Sequence, residues 1–157
     1  MWVVSRNFHY SVRLLLTACG FAVGLGVLPA GAADKIVMMP VKPALETPAA
    51  REKLDGSVGF YFGDTAHPQV VESLGTVTSR KKTNAFAKSD AETCQHVALS
   101  TFIELQHQAQ LRGGNAVINI VSVYDGKERK SDTEYECRVG FLMSGVALKG
   151  EVVKLAK

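Results

Sequence analysis

The sequence predicts an α+β domain: a small antiparallel or mixed sheet packed on one long helix, a β-α-β-β core, plus an N-terminal strand and a short helix. Three observations carry this reading. Residues 90–112 repeat apolar side chains at 3.6-residue spacing behind a helix-start signal. Residues 115–124, "NAVINIVSVY", are β-branched and follow a glycine pair. Residues 134–148 form a second long run of strand character.

The amino end reads as an export signal. Arg6 and Arg13 precede an apolar run over 14–28, then Pro29 and the small residues "AGAA". A basic segment, a short apolar segment and an A-x-A-like site are the parts of a secretory leader. Ala30-Gly31-Ala32 puts cleavage after Ala32, and Gly31-Ala32-Ala33 puts it after Ala33, the preferred site. The expected organisation is a leader over 1–33 and one periplasmic domain over 34–157, with its core at about 72–148. Leu16-Thr17-Ala18-Cys19 also matches a bacterial lipobox, the alternative in which Cys19 is acylated. Against it, only three apolar residues separate Arg13 from Thr17, and the apolar run continues past Cys19. A membrane span needs roughly 20 apolar residues. Gly20, Gly24, Gly26 and Pro29 make this segment a poor one, so no stable span is expected after cleavage.

Charge narrows the partners. The chain has 18 basic and 15 acidic residues, a net +3, and the leader holds two of the basic ones. The mature chain of about 124 residues is then near +1, which is no electrostatic signature of a nucleic-acid binder.

In chain order, 35–41 ("KIVMMPV") reads as a first strand that Pro40 places at an edge or an end. Thr47 as N-cap and Pro48 at the first helical position start a short helix over 48–54, stopped by Gly56. Residues 57–64 ("SVGFYFGD") read as a strand or an aromatic-rich loop, and 74–79 as a strand. Ser89 with Glu92 three residues on has capping-box form and opens the long helix. Ala91, Cys94, Ala98, Thr101, Phe102, Leu105 and Ala109 fall on its core face. Gly113-Gly114 ends it. "DGKERKSD" is a polar turn. The last strand, 134–148, is continuously apolar from Val139 onward and is expected to be buried on both faces, with Gly140 and Gly145 marking a bulge or a close backbone approach.

Export makes Cys94 and Cys137 a disulfide pair, since such compartments are oxidising. Two separate buried thiols are the alternative. The elements test the pairing. With strand 74–79 pointing up, the helix descends from Asp90, strand 115–124 rises, and the last strand descends from Glu134. Cys94 in the first helical turn and Cys137 near the start of the last strand then share the upper end.

A β-α-β-β core in which "LRGGNAVINI" joins a long helix to an apolar strand resembles the YbjQ/RcsF-like domains. The residues that carry the resemblance are Gly113, Gly114, Asn115, Ala116 and Val117. It covers about 72–148 and implies that fold and an envelope-sensing role. The mature chain as a whole is similar to a family of exported bacterial proteins through "VMMPV", "FYFGD", "KKTNAF", "GGNAVINI", "YEC" and "GVALKG". Some members of that family carry an excinuclease ABC label. The residues reject such an activity, and any ATPase: the sequence has no G-x-x-x-x-G-K-[ST] loop and no zinc-finger cysteine spacing.

The remaining chemistry is sparse. Cys94 at a helix N-terminus suggests a thiol nucleophile with His96 as base, but positions i and i+2 point away from each other on a helix. His96 and His107 stand about 16 Å apart along the axis, too far to share a metal. Ser73, Ser79 and Ser100 have no recognisable His and Asp partners. No catalytic residue, cofactor or metal site is assigned. The candidate binding surface is His67 in its loop, the aromatic run Phe60, Tyr61 and Phe62, and the basic run Arg80, Lys81 and Lys82. The resulting expectation is a non-enzymatic periplasmic module for envelope interaction or stress sensing, with envelope proteins as partners. A small-molecule or metal binder using His67 and the aromatic run is the alternative, and a thiol-dependent enzyme a third reading.

Overall fold

Residues 34–156 are described by a computed structural model. The leader and the Cys19 alternative lie outside them. The elements run β1 (Lys35–Pro40), α1 (Val41–Leu45), α2 (Pro48–Lys53), β2 (Gly59–Phe62), β3 (Val70–Asn84), α3 (Asp90–Leu111), β4 (Ala116–Tyr124), β5 (Lys127–Arg129), β6 (Glu134–Val139) and β7 (Met143–Leu155). Seven strands make one curled mixed sheet, and the class is α+β.

The sheet is assembled on β7. One edge pairs with β3 along its whole length, from Asn84 opposite Met143 to Val70 opposite Leu155. The other edge is shared: β6 pairs with the start of β7 and β4 with its remainder. β1 extends the sheet beyond β6, antiparallel, and β2 extends it beyond β4, parallel.

Local chemistry explains the helices. Thr47 caps α2, its hydroxyl accepting from the Ala50 amide. Ser89 caps α3, accepting from the Glu92 amide. At the far end the Gly113 amide donates to Gln110 and the Gly114 amide to Ala109, and Gly113 has φ +73°. This is a Schellman motif, which needs a left-handed residue where glycine stands. The helix α1 escapes sequence reading because it is a single turn holding Pro43. That proline sits in the first turn, where its missing amide has no partner to lose, and Val41 and Ala44 anchor the turn in the interior.

Four expectations need correction. The strand expected over 74–79 extends over Val70–Asn84. Its polar half has no apolar alternation, and the ladder to β7 supplies the order that sequence pattern does not. The polar turn after Tyr124 contains β5, joined to β4 by Asp125 and Gly126 at φ 51° and 73°, the signature of a two-residue type I′ hairpin. Most consequentially, the strand expected over 134–148 is two strands. The chain reverses after Val139, where the Gly140 amide donates to Met143 at 2.8 Å, and Phe141 is 81% exposed instead of buried. On the helix, Ala91 is exposed, and packing against the sheet starts at Thr93.

The interior lies between α3 and one face of the sheet. Phe102 is fully buried at its centre, with Phe60, Phe62 and Tyr135 ring centroids 5.3, 6.0 and 6.5 Å away. Val146, Leu148 and Val152 of β7 face Val97 and Leu105 of α3 across the same core. Cys94 and Cys137 are both fully buried and bonded, S–S 2.03 Å, Cα–Cα 5.9 Å. The first turn of α3 is thus tied to β6, at the shared end that the sequence implies. Tyr135 reinforces the junction by donating its hydroxyl to the Cys94 carbonyl at 3.3 Å.

The bond joins residues 43 apart in sequence, for which the chain-entropy relation gives about 4 kcal/mol. Replacing both cysteines by alanine is expected to lower unfolding free energy by about that amount in denaturant titrations, and reductant is expected to do the same to the parent protein.

Candidate functional site

The strand register places a set of side chains on the sheet face opposite α3. Lys81 turns to the helix, its ammonium 3.1 Å from the Glu104 carboxylate. Side chains alternate along a strand, so Arg80 and Lys82 of β3 stand on the outer face. They lie opposite Ala147 and Gly145 of β7, and Gly145 also pairs with Arg138 of β6. Small residues on the floor and long cationic ones at the sides leave a cleft of about 860 Å³, within the size range of ligand sites. An ideal Cβ at Gly145 would stand 3.5 Å from Lys82 Cγ and 3.6 Å from the Tyr124 hydroxyl, ordinary contact distances, so these two side chains close over the glycine floor.

The two sides of the cleft differ electrostatically. Arg138 is committed within the protein. Its Nε donates to Glu136 at 2.9 Å and its Nη1 to Asp125 at 2.6 Å, while its guanidinium stacks 4.4 Å above the Tyr124 ring. Glu136 is only 4% exposed and also receives Arg129 at 2.9 Å. These contacts hold Arg138 charged, its pKa raised chiefly by Glu136. Arg80 and Lys82, by contrast, take part in no ion pair among the described residues. The Tyr124 hydroxyl is buried at the floor without a hydrogen-bond partner. Burial first, and then the nearby Glu136 charge, push its pKa well above the ordinary tyrosine value.

One end of the cleft is lined by an apolar tip, which Phe86 extends past the cleft. Phe141 and Leu142 of the β6–β7 turn and Met143 at the start of β7 are 81%, 58% and 46% exposed, and Phe86 of the β3–α3 loop is 57% exposed. The two phenylalanine rings meet edge to face at 6.0 Å. Both loops are fixed: the Ala85 amide donates to the Leu142 carbonyl at 2.9 Å, and the Phe86 amide to Asn84 Oδ1 at 2.7 Å. The exposed apolar surface is therefore held by backbone bonds from two separate loops.

The residues singled out from sequence do not form one surface. Phe60 and Phe62 pack on Phe102 inside the protein. Tyr61 lies on the outer face over a second small cluster, Ala116, Ile118, Val153 and Leu155, with the His67 ring edge-on at 5.6 Å. His67 Nδ1 is 2.8 Å from the Pro68 carbonyl. Arg80, Lys81 and Lys82 border the cleft, which His67 and Tyr61 do not line. Among the described residues no group of three or more His, Cys, Asp or Glu side chains is placed to hold a metal. Cys94 is bonded to Cys137 and offers no thiolate in this state. Sequence reading points to Phe86, in Asn84-Ala85-Phe86, as part of an exposed aromatic surface, and misses Tyr124, Arg138, Phe141, Leu142 and Met143. The one available signal is Gly140 beside three consecutive apolar residues, a pattern that fits a turn as well as a buried strand. Comparison with protein-family models and with curated proteins returned no match.

Tyr124 and Tyr135 both have pKa values raised by burial. A raised value favours the neutral phenol in the folded state, so this stability is fully present below about pH 10 and lost as pH climbs through the folded values. Ultraviolet titration is expected to show these phenols ionising only with unfolding. Tyr124→Phe, which removes an unpaired buried hydroxyl, is expected to leave stability unchanged or raise it by up to ~1 kcal/mol in thermal and denaturant unfolding.

Proposed function

We propose that this chain is an exported, non-enzymatic module of the bacterial envelope that works by surface contact, in interaction or stress sensing. The observation that carries the reading is the tip. Four large apolar side chains, Phe86, Phe141, Leu142 and Met143, are left in water by a fold that buries Phe102, Leu105, Tyr135 and Leu148 completely. Exposed apolar patches of this kind mark interaction sites. The disulfide supports an oxidising compartment, and the leader-like segment over 1–33 supports the periplasm as that compartment. Among the described residues no helix is long and apolar enough to cross a membrane. A β-α-β-β core of the YbjQ/RcsF-like kind is part of this proposal. It is supported by the way α3 ends at Gly113-Gly114 and passes through Asn115 into β4.

The cleft favours a second reading, a binder of small anions. Arg80 and Lys82 border it without internal counter-ions. The His67 loop offers less, because the neighbouring Phe60 and Phe62 are committed to the core.

Cell fractionation separates the two. The tip side chains are exposed, so Phe141→Ser with Leu142→Ser is expected to fold normally by circular dichroism. The parent protein is expected to stay with the envelope after osmotic shock and the variant to be released. Equal release of both would contradict the contact reading and leave the cleft as the working site.

A further inference from the structure

We infer that the surface met by the tip is an anionic lipid bilayer, with Phe86, Phe141 and Leu142 entering its interfacial layer and Arg80 and Lys82 meeting lipid phosphates. The inference rests on the contact reading above and names the partner.

Shape favours a bilayer over a protein groove. Phe141, Leu142 and Met143 are consecutive residues at a reversal of the chain, and Phe86 joins them from a different loop. Their side chains come from two loops at one end of the sheet instead of lining one strand face, and three of them also wall the cation-bordered cleft. A protein partner would need a pocket moulded to that end, whereas the bilayer interface yields to it and favours aromatic side chains at headgroup depth. The tip is also held in place before contact, by the Ala85–Leu142 and Gly140–Met143 backbone bonds, so little ordering is required on binding.

Charge favours an anionic surface. The cations beside the tip are Arg80, Lys82 and Arg138 at the cleft, and Lys88, whose amide donates to Ala85 in the loop that carries Phe86. The acidic groups at the cleft are Asp34 and Asp125, and Asp125 is occupied by Arg138. Glu136 is buried between Arg129 and Arg138. Asp90, at the start of the neighbouring helix, is bound by Lys35. Arg80, Lys82 and Lys88 are thus the cations left over, against Asp34. Apolar insertion with adjacent unpaired cations is the pattern of two-signal binding at membrane surfaces, where each Lys or Arg near the surface adds a similar increment.

The test is sedimentation of the protein, purified in the form its cells accumulate, with vesicles. One set is pure phosphatidylcholine and the other is equal parts phosphatidylcholine and phosphatidylglycerol. Binding is expected to the anionic set, to fall with added salt, and to be weak on the neutral set. Arg80→Gln with Lys82→Gln is expected to weaken it about thirtyfold, ~1 kcal/mol for each cation. Phe141→Ser with Leu142→Ser is expected to abolish it. Absence of binding to anionic vesicles would overturn the inference, and so would binding that all variants retain. If envelope retention depends on Phe141 and Leu142 while vesicles fail to bind, the partner is a protein: the contact reading stands and the lipid inference falls.

Discussion

The covalent link between Cys94 and Cys137 sets the geometry on which the rest of the molecule depends. It joins the first turn of the long helix to a strand on the edge of β7 that β4 also shares. That is where the sheet divides and where a backbone ladder alone leaves β6 short, paired to β7 over only three residues, Cys137, Arg138 and Val139. The disulfide, the Tyr135 hydroxyl on the Cys94 carbonyl, and the Ser144 hydroxyl donated to Thr93 at 3.0 Å all bridge helix and sheet at this end. Farther along the helix, packing takes over, with Phe102 surrounded by three aromatic rings.

Holding β6 also fixes what β6 carries on its other face. Cys137 faces the helix, so its neighbours Glu136 and Arg138 face out. Glu136 is buried there by two arginines, and Arg138 lies over Tyr124. Removing the arginines would leave the buried Glu136 charge unpaired, a costly change, so the cluster holds together as one side of the cleft. The opposite side is different in kind. Arg80 and Lys82 project from β3 without internal counter-ions. Just beyond Lys82 the ladder reaches the Asn84–Met143 pair and the tip. The protein therefore sets unpaired charge and unburied apolar surface side by side.

Much of the fold is legible in the sequence because its signals are local and redundant. Ser89 and Gly113-Gly114 bound α3 within one residue of the structure, and Thr47-Pro48 does the same for the start of α2. The cysteine pairing follows from the expectation of export together with chain direction. What is not legible depends on tertiary pairing. The polar half of β3, "SRKKTN", has no period to detect and is a strand because β7 lies beside it. The reversal at Gly140 is hidden inside an unbroken apolar run, so a turn with exposed Phe141 reads as a buried strand. The candidate site suffers in proportion. Arg80 and Lys82 stand out as a charge run, but Arg138 and Tyr124 reach them only through the register of four strands. Phe60 and Phe62 pass from candidate surface to core once β2 is seen to pack on Phe102.

The claim that supports all of this is that the helix and β6 are joined covalently in the protein as its cells make it. Peptide mass spectrometry of unreduced, alkylated protein from the cell envelope addresses it directly. The expected result is a Cys94 peptide linked to a Cys137 peptide, from a chain that begins near Asp34. Recovery of both cysteines as separate alkylated thiols, on a chain that still carries residues 1–33, would contradict it.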